Sequence, residues 1–343
     1  MMRWMVVVLG ILFSVSAGRA AAAEAASAHA DWKAYMKANR FACPGPFERL
    51  ATPRQVKLAG KDYVHSGYAL KVQTRDADEQ VNIGVISAVK DTSAATMRNL
   101  KQALAWFEKK EVEWVVANGD LAADEFDLGD ILDALGESGL PVLLVPGNTE
   151  SMGSLARLYK RRMKRFPNLI PGNWVRVVDA DDVVFWTLPG YHDRAFVHQD
   201  AGCHYKEKDV RTLLTQVDKA GKRPVTLVAH GPPEGKGRQA LDWAQADKNV
   251  GDPLLNRKKN KKNVPFGIFG HILEAGGAAV GQDLKTPVAP KEARARLYVN
   301  AGSLSADPWG MNDGSVSRGM ALLLTLDAGK AAYRVRTFQP KSD

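Results

Sequence analysis

Apolar residues along this chain of 343 residues recur with two different periods, and the periods alternate. Val81 to Val89 reads as a strand, after which Thr92 or Ser93 is placed to cap a helix whose Met97, Leu100, Leu104 and Phe107 fall on one stripe. Strand 112–117, helix 127–137, strand 141–145 and helix 151–163 continue the alternation. Such a series predicts parallel strand pairs joined by crossover helices, an α/β architecture. Residues 174–178 and 183–188 read as a strand pair across Ala180-Asp181-Asp182, and 206–220 as a helix. The last third is richer in strands, at 225–229, 264–269, 277–280, 296–300, 319–326 and 331–337.

The first residues follow neither period. Met1-Met2-Arg3 precedes the apolar stretch Trp4 to Ala17, followed by Gly18-Arg19 and the small residues Ala20 to Ala23, which reads as a secretory signal. The uninterrupted apolar stretch falls short of the roughly 20 residues that span a bilayer, so export is expected, to a periplasm or the exterior, with no transmembrane anchor once the signal is cleaved near Ala22 or Ala23. The chain then divides into a signal at 1–23, an N-terminal appendage at 24–80 and one large domain at 81–343. In the appendage, Trp32, Tyr35 and Met36 have helical spacing within 28–40, and Pro44-Gly45-Pro46 stops the helix. Gln55 to Leu58, Tyr63 to Val64 and Tyr68 to Val72 are expected to form a small sheet packed on the main domain.

Composition changes this picture little. Hydrophobic content of 45% and charged content of 25% are those of a globular chain able to build a sizeable core. The formal charge of +9 draws attention to Arg257-Lys258-Lys259-Asn260-Lys261-Lys262, but the run lacks interleaved aromatics. It reads as a mobile, solvated loop, and no specific nucleic-acid partner is expected. Two cysteines occur, Cys43 and Cys203. Export permits a disulfide that would staple the segment before the sheets to the loop after Tyr191; a metal cluster of Cys203, His204 and His198 is the alternative.

The chemistry lies in four segments, Asn118-Gly119-Asp120, Gly147-Asn148-Thr149-Glu150, His230-Gly231-Pro232-Pro233 and Gly270-His271. Each ends an apolar run, which puts its polar residue at the carboxyl end of a strand, where open α/β sheets carry their sites. A carboxylate, an amide oxygen and two imidazoles suit a divalent transition metal such as manganese, iron, zinc or nickel.

In order and wording these segments resemble the calcineurin-like metallophosphoesterase signature of Asp-x-His, Gly-Asp, Gly-Asn-His-Glu/Asp, a His and Gly-His-x-His. Val299-Asn300-Ala301-Gly302-Ser303 and Phe269-Gly270-His271-Ile272 are similar to the family as well, and the resemblance covers residues 81 to 338. It implies a four-layer α-β-β-α sandwich with two mixed sheets, and a phosphoester or phosphorylated small molecule as substrate. It also has gaps. Ala88 and Lys90 stand in place of the first Asp and His, Thr149 in place of the His of Gly-Asn-His, and Leu273 in place of the last His. Mapped residue by residue, one family metal site keeps only Asp120, while the other keeps Asp120, Asn148, His230 and His271. One divalent metal is therefore expected and a second is not.

Three further groups are candidates for the chemistry. Lys90 replaces ligands by a cation, which would offset the charge of Asp120 or of a bound phosphate; the alternative is a lysine pointing into solvent. His192, in Gly190-Tyr191-His192-Asp193, could stand in for the proton donor lost at Thr149, or be an ordinary surface histidine. Lys236 and Arg238 lie in a glycine- and proline-rich loop after His230 that could receive phosphate at a helix N-terminus, or be a solvated turn. Two functions follow from the sequence: metal-dependent phosphoester hydrolysis, or a catalytically silent metal- or phosphate-binding regulator on the same fold.

Overall fold

The computed structural model describes residues 5–338 except 77, 199–201, 217–222, 246 and 263. Its elements begin with α1 (Met5–Ala38), β1 (Arg54–Leu58), β2 (Lys61–Ser66), β3 (Ala69–Val72), β4 (Gln80–Ile86) and α2 (Ala94–Glu108). Next come β5 (Trp114–Asn118), α3 (Glu125–Glu137), β6 (Val142–Val145), α4 (Met152–Arg165), β7 (Leu169–Pro171), β8 (Val177–Asp179), β9 (Val184–Leu188) and α5 (Glu207–Gln216). The last third holds β10 (Val225–Ala229), β11 (Trp243–Ala244), β12 (Lys248–Asn249), α6 (Pro253–Lys261), β13 (Phe266–Phe269), β14 (Ala279–Val280) and β15 (Leu297–Asn300). It closes with β16 (Trp309–Gly310), β17 (Val316–Ser317), β18 (Met320–Asp327) and β19 (Lys330–Thr337).

Two large mixed sheets carry the fold. One has six strands in the order β19-β18-β4-β5-β6-β7, antiparallel at the β19 end and parallel from β4 onward. The other has nine, β1-β2-β3-β8-β9-β10-β13-β15-β14, with a parallel centre from β9 to β15. Trp114 of β5 meets Phe185 of β9 at 5.9 Å and Tyr63 of β2 at 6.1 Å between ring centroids, so the sheets pack face to face.

Alternation along β9 shows how both faces of the larger sheet are filled. Phe185 joins the core between the sheets, whereas Val184, Trp186 and Leu188 join a second core with Val210, Leu213 and Leu214 of α5 and Leu255 of α6. On the smaller sheet, Leu100, Ala103 and Phe107 of α2 are buried, and Gly84 of β4 leaves room for the Phe107 ring. The helix starts at Ser93, whose hydroxyl accepts from Thr96 N–H at 3.3 Å. Helix, sheet, sheet and helix layers therefore stack as the α-β-β-α sandwich requires.

Several expectations change. The strands at 54–72 do not make a separate small sheet: β3 pairs in parallel with β8, and the three strands extend the larger sheet. The basic run is not a solvated loop but the end of α6, started by Asp252, whose carboxylate accepts from Leu254 and Leu255 N–H, with Pro253 in the first turn. Lys259 is buried, its ammonium 4.4 Å from the Tyr298 ring centroid and donating to Gln282 O at 3.2 Å. The helix expected at 28–40 is the end of the longer α1, and no helix among the described residues is long and apolar enough to cross a membrane. Residues 217–220 of the helix expected at 206–220 lie outside the described residues. Strand β7 was not expected, being three residues long and bordered by Asn168 and Gly172.

Candidate metal centre

Two strands of each large sheet deliver one polar residue apiece to a common edge. β5 leads into Asp120 and β6 into Asn148, while β10 leads into His230 and β13 into His271. Close approach of the loops depends on two glycines. A Cβ at Gly119, where φ is +78°, would lie 2.4 Å from His230 Nδ1, and one at Gly147 would lie 2.3 Å from Asp120 Oδ1. Asp120 and His271 themselves have φ of 54° and 63°, a left-handed backbone that costs roughly 1 kcal/mol or more for each such residue and recurs at functional sites.

The side chains converge on one point. His230 Nε2 lies 2.8 Å from Asn148 Oδ1 and 3.4 Å from Asp120 Oδ1, and His271 Nδ1 lies 2.9 Å from the same Asn148 oxygen. One ligand atom each from Asp120, His230 and His271 falls within a 4.8 Å group. Asn148 has its oxygen turned inward because its amide nitrogen donates to Phe196 O. His230 is fully buried and its other nitrogen, Nδ1, lies 2.9 Å from Asn118 O, an acceptor.

This donor set is short of protons, which is a test of whether a cation fits. The Asn118 carbonyl claims a proton on His230 Nδ1, leaving the Nε2 lone pair of a neutral ring aimed at the oxygens of Asn148 and Asp120. Either His230 carries a second proton or a cation sits among the four atoms. A divalent ion satisfies all four lone pairs, with Asn118 fixing the tautomer as backbone carbonyls do for metal-bound histidines. The residues present therefore fit a divalent metal.

Without an ion, the charged groups of this set act on one another. Burial acts to raise the Asp120 carboxyl, yet the His230 and His271 imidazoles override it and hold the group below the usual carboxylate range. Burial acts to depress His230, and the Asp120 charge more than reverses it. His271 is pulled down to about 3 by burial and by His230, so its ring is a neutral ligand.

Glu150, quoted above only as part of a motif, ties the centre together. It is buried, and its two oxygens accept from Leu121 N–H at 2.6 Å and from Gly147 N–H at 2.8 Å, clasping the Asp120 loop to the Asn148 loop. Burial and then the Asp120 charge push its pKa up. Thr149 contributes its backbone N–H to Asp120 Oδ1 at 3.2 Å. Tyr191 is the other residue that sequence reasoning passed over: its ring stacks on His271 at 3.9 Å between centroids.

The remaining candidates are not gathered as closely. His192 is half-buried, beside Tyr191 rather than against the ligands, and its Nδ1 is buried without a hydrogen-bond partner. Lys90 is exposed with its ammonium 4.6 Å from the Trp309 ring centroid, and among the described residues it has no ion pair with Asp120. Lys236 and Arg238 are exposed, and no helix follows their loop: the chain passes through β11 and β12 before α6 begins at Pro253. Among the described residues, the loop matches the solvated-turn alternative rather than a helix N-terminus.

At the position of the first motif, the main chain is hydrogen-bonded in place. Ala88 is fully buried, and its carbonyl accepts from Ser303 Oγ at 2.8 Å and Ser305 N–H at 3.2 Å. Leu273 is buried too. Cys43 and Cys203 form a disulfide, with Cα atoms 5.5 Å apart, so no thiolate remains for a cluster with His204 and His198. The bond anchors the loop that starts at Gly190 and carries Tyr191 over the centre.

A family model described as calcineurin-like phosphoesterase matches residues 86–275. No curated protein matches the chain. Among solved structures, one chain is similar at 16% identity and a TM-score of 0.53, over 76% of this chain and all of the other. A protein of Thermus thermophilus is similar at 13% identity and a TM-score of 0.48, over 74% of this chain and 98% of its own. A dimetal phosphatase from Danio rerio is similar at 11% identity and a TM-score of 0.45, over 76% of this chain and 99% of its own. At 16% identity, the first of these likenesses is one of fold alone.

Proposed function

This chain belongs to the calcineurin-like phosphoesterase family, whose members bind divalent metals and act on phosphoesters, and from that premise we propose that it is an exported hydrolase of phosphoesters working at a single-metal site. The observation that carries the proposal is the convergence of Asp120, Asn148, His230 and His271 on one point, with His230 Nδ1 already committed to Asn118 O. Asp120, Asn148, His230 and His271 would hold a divalent ion there, which when bound would supply Lewis-acid activation for phosphoester hydrolysis.

The chain's own residues have defined tasks in this reading. Asn118 and Glu150 orient the ligands; Tyr191 covers one face of His271 and excludes water from it. His192 is the candidate for proton transfer, because burial holds its imidazole below the ordinary range, against Asp252 and Asp193, and leaves Nδ1 without a competing partner. Lys236 and Arg238, on the loop that begins at His230, form an outer cationic rim for an anionic substrate. Residues 1–23 serve as the signal, and the protein acts in the periplasm or outside the cell.

A second reading, a silent metal- or phosphate-binding protein, is favoured by the sealed Ala88 and Leu273 positions, which offer nothing to clamp the opposite oxygen of the ester. Elemental analysis of the purified protein with assays on aryl phosphate mono- and diesters separates the two. One metal per chain and turnover that disappears in His230→Ala is the expected result. Bound metal without turnover establishes the silent binder, and no bound metal in the wild type refutes the centre.

A further inference from the structure

The two sheets end on the same flank, the larger at β1 and the smaller at β7, and between these edges the inter-sheet core opens into a groove of about 1370 Å³. That exceeds the roughly 300–1,000 Å³ of ordinary small-molecule pockets. Its depth is lined by Leu70, Leu169, Trp174 and Val175, all core residues, and its upper walls by Val56, Met36 of α1 and Met163 of α4. None of the four candidate metal ligands lines it. The outer wall is α1, and it is moored. Trp32 is buried against Trp174, Tyr35 Oη donates to Trp174 O at 3.2 Å, Trp174 Nε1 donates to Asn39 O at 3.0 Å, and Thr52 N–H donates to Asp31 at 3.1 Å.

Charge along this groove is one-sided. Lys33 and Lys37 of α1 and Lys160 and Lys164 of α4 line it, exposed, and none has an ion pair among the described residues. Glu24 is the one acidic residue of the lining. Deeper in, the Arg54 guanidinium lies 4.9 Å from the Trp32 ring centroid and hydrogen-bonds to His65 Nδ1 at 3.1 Å, while its Nε is buried with no partner. Among the described residues no carboxylate pairs with Arg54, and burial draws its pKa down to about 10. A cation set into an apolar floor with an unused donor is a position that an anion would satisfy.

We propose that this groove binds an anionic amphiphile, its acyl chain between the two sheets and its phosphate or carboxylate head on Arg54 and the lysines of α1 and α4. An extended peptide would find backbone partners only along the outer edge of β1, whereas the depth of the groove offers apolar side chains and no ladder. A flexible apolar chain has no backbone polar group to leave unpaired there.

Calorimetric titration of the whole protein with laurate, lauroyl lysophosphatidate and uncharged monolaurin, each below its micellar concentration, tests this. One saturable site for the two anions is expected, with monolaurin about tenfold or more weaker, as loss of a charge-assisted hydrogen bond implies. The relative affinity of the two anions identifies the preferred head group. Arg54→Gln is expected to weaken both anions about tenfold and leave monolaurin unchanged. The exposed pair Lys160→Glu with Lys164→Glu, which removes no buried contact, is expected to weaken the anions as well, and His230→Ala is expected to bind them like the wild type. The proposal is overturned by absence of saturable binding, by monolaurin equal to laurate, or by both charge variants binding like the wild type. Loss of binding in His230→Ala would move the anion to the metal centre. Binding of an acidic, apolar decapeptide in place of laurate would assign the groove to a protein partner.

Discussion

At the Asp120 end of the loop edge, four lone pairs meet, with His230 held by Asn118 O, Asn148 by Phe196 O, Asp120 by Thr149 N–H, and the two loops by the clasp of Glu150. A few residues away, at Ala88 and Leu273, the same edge is closed by Ser303 and Ser305 bonding to the Ala88 carbonyl and by a buried leucine. The two regions share strands, depth and backbone course, so the difference lies in what the loops do with their polar atoms. One turns side chains toward a common point and holds them there; the other turns a serine hydroxyl and a backbone N–H onto the Ala88 carbonyl and buries an apolar side chain. A buried imidazole and carboxylate persist only with such support, because unpaired they cost several kcal/mol.

The clasp is the first place to break the contrast. Glu150→Gln replaces one oxygen that faces a backbone N–H by a second donor, so either the Leu121 or the Gly147 bond is lost and the two ligand loops are freed. Metal affinity, read by competition with a chelator, is expected to fall by about 10- to 100-fold, the range seen when groups behind metal ligands are changed. Affinity within twofold of the wild type would mean that the loops hold themselves.

The opposite manipulation tries to open the sealed half. Ala88→Asp with Leu273→His restores the family's ligand types at two positions, yet the aspartate enters a fully buried site with no cationic partner, at a cost of about 3 kcal/mol or more. The expected outcome is one metal per chain and a lowered melting temperature. Two metals per chain with stability retained would show that the second site was lost by residue identity alone, and that the serine contacts are incidental.

How much of this contrast could be read in advance depends on where the partners come from. Asp120, Asn148, His230 and His271 were legible because each follows an apolar run and sits beside a glycine or proline that marks a turn. The partners of Glu150 were not, since they are backbone amides of two separate loops and leave no residue type behind. Tyr191 and His192 are adjacent, and only folding decides that the tyrosine is the one stacked on His271. For α6 a usable signal did exist: Asp252 followed by Pro253 is a helix start, which a reading based on the basic run alone does not use. The joining of β1 to β3 onto the larger sheet rests on a parallel pairing with β8 across more than a hundred residues, which no local pattern encodes.

A second buried histidine sharpens the proton count that identifies the metal centre. His65 has partners of opposite kind, Nε2 facing Gly67 O at 3.0 Å and Nδ1 facing the Arg54 guanidinium, so one neutral tautomer satisfies both. Burial first, and Arg54 second, depress its pKa from 6.5 to about 3. The unfolded chain therefore takes up a proton between pH 6.5 and 3 that the folded chain refuses. The contribution is fully present above pH 6.5 and is lost as pH falls through that window, at up to about 1.4 kcal/mol per pH unit. Urea unfolding of metal-loaded protein across this range should show a shallower acid slope for His65→Gln than for the wild type. Equal slopes would mean that His65 is protonated in the folded state and that its two partners do not decide its charge.

The smallest effect is expected at Lys90, the residue that stands where the missing motif would have its histidine. Its backbone N–H donates to Leu121 O at 2.7 Å, a bond that truncation of the side chain leaves intact, and its ammonium rests over Trp309 in an exposed position. Lys90→Ala removes an exposed cation–π contact of about 0.5–1 kcal/mol and no partner of the metal ligands. Phosphate affinity of the metal-loaded variant, measured by calorimetry, should therefore stay within about twofold of the wild type, as a free-energy change below about 0.5 kcal/mol implies. A tenfold or larger loss would show that the ammonium leaves Trp309 for the bound anion, and that the sealed half of the edge still supplies positive charge to the chemistry of the other.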